Sequence, residues 1–171
     1  MNTTGNICSK TTGGETISPR QTVVLGVGNL LLSDEGVGVH VSHKLMGSEL
    51  PEGVTVVEGG TDGFRLLNTI TGADRLIIVD AVRGGSEPGS IYRFDIDDVR
   101  NVQSGFKTSV HQIGILEVID LSGLIGKKPV TTVIGIEPKS LKMGMELSPE
   151  VKEKIPRVIE LVFEELDKKL T

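Results

Sequence analysis

A three-layer α/β/α sandwich around a mostly parallel, mixed sheet is the fold that this 171-residue sequence predicts. Three observations carry the expectation. Short runs of Val, Ile and Leu alternate with amphipathic stretches, the order in which strands and right-handed crossover helices follow one another in layered α/β domains. Several of the runs are apolar almost throughout, as strands buried on both faces are. Glu35, Asp80 and His111 stand where runs give way to loops or helix starts, and the C-terminal edge of such a sheet is where ligands bind.

The elements follow in chain order. Residues 1–20, MNTTGNICSKTTGGETISPR, are rich in Thr, Gly, Ser and Asn and have little apolar surface to offset the entropy of ordering, so a flexible tail is expected. They contain neither the apolar run of a signal peptide nor the length of a membrane span. Residues 21–171 then read as one domain without a repeat or linker. TVVLGV (Thr22 to Val27) is the first strand, and Val37, Val41 and Leu45 fall four apart in a helix expected over about Asp34 to Leu50. VTVVEG (Val54 to Gly59) is the second strand, followed by the turn EGGTDG, where Asp62 is placed to cap a helix over FRLLNTI. RLIIVDA (Arg75 to Ala81) is the third. SIYRFDI, after the turn-rich RGGSEPGS, alternates more clearly and reads as an edge strand or half a hairpin, which makes the sheet mixed. A helix is expected from His111 through Leu124, then a strand over VTTVIGIEP (Val130 to Pro138). The last helix starts at LSPEV, with Ser148 as cap and Pro149 at the first position. Val151, Ile155, Val158, Ile159 and Val162 form its apolar face, and Pro156 is expected to kink it.

Composition excludes several classes of function. With 37% hydrophobic residues the chain can build one ordinary core, and four Phe and one Tyr leave few rings for stacking on bases. Its 18 basic and 23 acidic residues give a formal charge of −5, without the basic footprint that nucleic acid requires. The single cysteine, Cys8, rules out an intramolecular disulfide framework and a thiolate cluster. A soluble protein of the reducing cytoplasm is expected.

The candidate chemistry is carried by carboxylates and imidazole. GVGN (Gly26 to Asn29) resembles a nucleotide-binding glycine turn, but Leu31 stands where the dinucleotide fingerprint requires a third glycine. Ser33 or Asp34 can cap the first helix, and acids are favoured at its positive end; the preferred division is Asp34 as cap and Glu35 as ligand. Asp80 ends a run apolar enough to be buried, where a carboxylate needs a hydrogen-bond donor, a cation or a metal. His111 is the third candidate, its alternative role being a cap or surface residue. Glu35, Asp80 and His111 together suit a borderline divalent ion such as zinc or nickel, with positions left open for water or a partner's ligands. His40 and His43 share a helix at i, i+3 without a local carboxylate and are expected to be solvated. No G-x-S-x-G elbow or HExxH helix occurs, which leaves metal-assisted hydrolysis or acid and base work by carboxylates.

The order of motifs, VLGVGNLLLSDEGVGV, EGGTDGFRLL, LIIVDAVRGG, VHQIGILEVI and VIGIEPKSLKMGMELSPEV, closely resembles the nickel-iron hydrogenase maturation endopeptidases, over about Val23 to Leu166. The resemblance implies a compact, monomeric α/β/α sandwich. It further implies a cytoplasmic protease that removes a short C-terminal extension from a hydrogenase large-subunit precursor after nickel insertion, with nickel as the recognition signal. By motif position, the family's metal-contacting residues fall on Glu35, Asp80 and His111. A three-ligand site fits either a catalytic ion or a clasp on nickel held by substrate thiolates, and the second is preferred. Glu58 stands before the paired glycines where relatives often place Asp, and the N-terminal tail is additional. A hydrolase acting on another ester or amide, such as a peptidyl-tRNA hydrolase, whose glycine turn GVGN also resembles, and a non-catalytic nickel chaperone are the competing readings.

Overall fold

Thr22–Val27 forms β1, and all but its first residue is buried. In the computed structural model, the described residues are 20–61, 63–101 and 110–168, with side chains described for all of these except 63, 64, 99–101 and 110–114. A 3₁₀ turn over Ser33–Gly36 leads into α1 (Val37–Met46). β2 (Val54–Gly60) is followed by a second 3₁₀ turn, Gly63–Leu66, and by α2 (Leu67–Thr71). β3 is Arg75–Ala81, buried at every position, and β4 is Ile91–Asp95. Next come α3 (Ile96–Asn101), α4 (Val110–Ile125) and β5 (Val130–Ile136). The chain closes with α5 (Pro149–Lys152) and α6 (Ile155–Leu166).

The strand order is β2-β1-β3-β5-β4, with every pairing parallel except that of β4 with β5. The edge position expected for SIYRFDI is therefore observed, and it makes the sheet mixed. Successive side chains of a strand point to opposite faces, and both faces are covered. Val24, Ile77, Val79 and Ile134 pack with Val37, Val41 and Leu45 of α1 and Val158 and Val162 of α6. Val23, Leu25, Leu76, Ile78 and Val133 pack with Ile70 of α2 and Val118 and Ile119 of α4.

Several boundaries differ from the expectations. The first helical segment opens as a 3₁₀ turn and stops at Met46, with Gly47 at its C-cap. The last is two helices, because the chain breaks at Glu153 and Lys154 and Pro156 lies in the first turn of α6. Proline lacks the amide that a first turn leaves unused, so Pro156 starts a helix and does not kink one. Ile96, the last residue of SIYRFDI, opens α3 where the strand reading continued. The expected tail lies outside the described residues, as does Asp62.

Candidate active site

Glu35 lies in the 3₁₀ turn between β1 and α1, and two glycines let that turn sit close to the sheet. Gly28, at φ +138°, has a backbone conformation that L side chains rarely adopt, and a Cβ there would overlap the Glu35 carbonyl. On α1, a Cβ at Gly38 would overlap the carbonyl oxygens of Val27 and Val79, so the helix start lies directly on the ends of β1 and β3. Glu35 is 8% exposed and Asp80 is fully buried. Asp80 is the penultimate residue of β3, adjacent to β1 in the sheet, and its Oδ1 accepts the Ala81 amide at 2.8 Å. The expected placement of these two carboxylates at one sheet edge is thus observed. His111 is the second residue of α4, and its side chain lies outside those described.

Asp34 is not a cap. Neither it nor Ser33 makes a side-chain capping bond to the turn or to α1. Instead the fully buried Asp34 carboxylate accepts the amides of Lys139 and Ser140 at 2.9 Å, the Ser148 amide at 2.7 Å and the Ser148 hydroxyl at 2.9 Å. Ser148, expected as the cap of α5, makes no such bond to its helix. Four hydrogen bonds replace water around a buried anion, and this is what burial of a charge requires. Ser33 adds to the clasp: its amide donates to the Gly144 carbonyl at 2.6 Å and its hydroxyl to the Glu146 carbonyl at 2.8 Å. Its φ of +52° is uncommon for a residue with a side chain. The loop over 137–148 is therefore strapped to the segment that carries Glu35.

A second strap was not foreseen. Glu137 is 7% exposed, and its Oε2 accepts the amides of Gly84, Gly85 and Ser86 at 2.8, 3.0 and 3.3 Å and the Tyr92 hydroxyl at 2.5 Å. Successive backbone amides of this kind form an anion-binding nest. Here the nest fixes the loop that leaves β3 after Asp80. The available signal was an acid directly after the buried run VTTVIGI, facing a Gly-Gly loop elsewhere in the chain.

Between the strapped segments lies a cleft of about 720 Å³ lined in part by Ser33, Arg83, Lys139, Ser140, Lys142 and Glu146. The Lys139 ammonium is engaged by Glu150. On the far side of α1, His43 Nε2 lies 2.7 Å from Glu58 Oε2, so it has the carboxylate partner that its own helix lacks. His40 is half-buried, and its Nε2 has no hydrogen-bond partner among the described residues. Burial pushes its pKa below the ordinary histidine value of 6.5, against a hydrogen bond with the Met145 backbone that favours the charged ring. Neither histidine joins the edge where Glu35 and Asp80 lie. Among the described residues no trio of His, Cys, Asp or Glu side chains is grouped to hold an ion.

Comparison with known proteins places this geometry in context. The family model described as hydrogenase maturation protease matches residues 39–165. A hydrogenase expression/formation protein HupD from Bradyrhizobium diazoefficiens is 39% identical over 147 residues, covering 84% of this chain and 77% of its own. The hydrogenase 2 maturation protease of Escherichia coli is 35% identical over 144 residues, covering 82% and 87%. Among solved structures, the hydrogenase maturating endopeptidase HybD from E. coli superposes with a TM-score of 0.78 at 34% identity, over 85% of this chain and 91% of that one. The [NiFe] hydrogenase maturation protease HybD from Thermococcus kodakarensis does so at 0.74 and 31%, over 86% and 99%.

Proposed function

This chain belongs to the hydrogenase maturation protease family, and from that premise we propose that it cleaves the C-terminal extension from a nickel-iron hydrogenase large-subunit precursor once nickel is in place. Substrate nickel is read by Glu35, Asp80 and His111, and the enzyme acts as a monomer. The observation that carries the reading is the burial of two carboxylates, Glu35 and Asp80, at the C-terminal edge of adjacent segments, where a cation brought by a substrate would be met by ready-made oxygen ligands.

Anchoring the substrate metal at this edge fixes the position of the nearby peptide bond, and such positioning lowers the barrier to attack by removing translational and rotational freedom beforehand. Water adds to the scissile carbonyl carbon while a carboxylate of the site takes its proton. The tetrahedral intermediate then collapses as the C–N bond breaks, and the proton passes to the departing amine. The products are a new C-terminal carboxylate on the mature subunit and the released peptide. Nickel-free precursor lacks the anchor and is left intact.

The deciding experiment is mass measurement of nickel-loaded and nickel-free precursor after incubation with the enzyme. Shortening of the loaded form alone is expected. Asp80→Ala is expected to abolish shortening while leaving the circular dichroism spectrum and cooperative unfolding in place. Processing at the wild-type rate by that variant would refute the assignment.

A further inference from the structure

Leu31, Met143 and Met145 are 57%, 88% and 63% exposed, in a molecule that otherwise keeps its large apolar side chains mainly in two cores. Main-chain pairing brings their segments together. The Gly144 amide donates to the Leu31 carbonyl at 3.0 Å, and Leu32 and Gly144 form a bridge. Apolar side chains gathered at the surface mark interaction sites more often than chance exposure does, and methionine adapts its shape to a partner at little cost. Two cations border the cleft next to this loop. Lys142 belongs to the same loop and Arg83 lines the cleft with it, together with Glu146. Neither Lys142 nor Arg83 has an ion-pair partner among the described residues, whereas Lys139 is bound to Glu150. With Lys139 engaged by Glu150, Arg83 and Lys142 outnumber Glu146 in the cleft lining, a local excess of positive charge in a chain of net charge −5.

Resting on the function proposed above, we propose that Leu31, Met143 and Met145, with Arg83 and Lys142 at the adjacent cleft, form the surface on which the body of the large-subunit precursor docks, through an apolar patch edged by carboxylates. The apolar residues supply contact area, and the cations select the orientation and speed encounter. Because Asp34 and Ser33 strap the loop down, docking does not have to order it, and less binding energy is lost to entropy. The same strap places this surface in register with Glu35, the next residue in the chain.

The test measures processing kinetics and direct binding of nickel-loaded precursor for two double variants, Met143→Ser with Met145→Ser and Arg83→Gln with Lys142→Gln. Leu124→Ser is the control, since Leu124 is 84% exposed on α4 and outside the surface. All five positions are exposed or border the cleft, so the fold is expected to survive. Each double variant should raise KM and Kd about tenfold, with the effect on KM and not on kcat. The charge variant should also lose most of the salt dependence of KM. The control should match the wild type. Unchanged KM and Kd in both double variants, or a loss confined to kcat, would overturn the docking surface while wild-type cleavage keeps the protease reading. Binding that depends on the surface without cleavage by the wild type would retain the surface and refute the protease.

Discussion

Asp34 illustrates how much a single buried carboxylate can organise. Its four donors come from Lys139, Ser140 and Ser148, and removing it takes away the acceptor that all of them share. Asp34→Ala is expected to lower stability by about 2–4 kcal/mol, read from urea unfolding. Processing should fall further than that destabilisation accounts for, because the loop it holds borders the site. Legibility at this scale depended on where a partner lies in sequence. Asp80 stood out from its own apolar run, since a charge in such a run needs a partner whatever surrounds it. Asp34 did not, because its partners are more than 100 residues away and nearby sequence offered only the cap. His43 followed the same rule, its carboxylate lying on β2. His111 was singled out by its place at a helix start and by motif position alike.

At the scale of elements, the start of α1 is set by its contact with the sheet. Gly38 touches the backbone of both β1 and β3, so a methyl group there must push the helix away from two strand ends. Gly38→Ala is expected to cost about 1–3 kcal/mol in thermal or urea unfolding. It should also impair processing, since the turn carrying Glu35 is continuous with the helix. The strands were readable because their apolar runs are long enough to cross the sheet and are bounded by turn residues, and the edge strand because it alternates. Helix ends were less so. A proline two residues into a helix and a proline in its middle differ only in where the preceding turn ends, and Glu153 and Lys154 give no local sign that it ends there.

For the whole molecule, the end of the sheet opposite the site is locked by charge. Glu165 of α6, 3% exposed in its side chain, pairs with Arg75 at the start of β3 at 2.8 Å, and also with Arg93 and Lys168. Breaking a buried pair by deleting one partner leaves the other charge uncompensated, so Glu165→Ala is expected to destabilise by about 3–5 kcal/mol. The rate constant of the folded fraction should be unchanged, because the cluster lies at the other end of the strands; activity normalised to folded protein checks this. The layered architecture itself was legible, since alternation of strands and helices admits few topologies. The ion cluster was not, because its members are ordinary charged residues until the fold brings them together.

The two straps have a consequence for the birth of the protein. Glu35, Asp80 and His111 are all made before residue 112, but Asp34 and Glu137 place the rim of the site through contacts between residues 33–34, 84–86 and 137–148. A nascent chain therefore carries its full set of acids and imidazole while the walls around them are still inside the ribosome. An interrupted translation product has the three proposed site residues without the walls that the C-terminal third supplies.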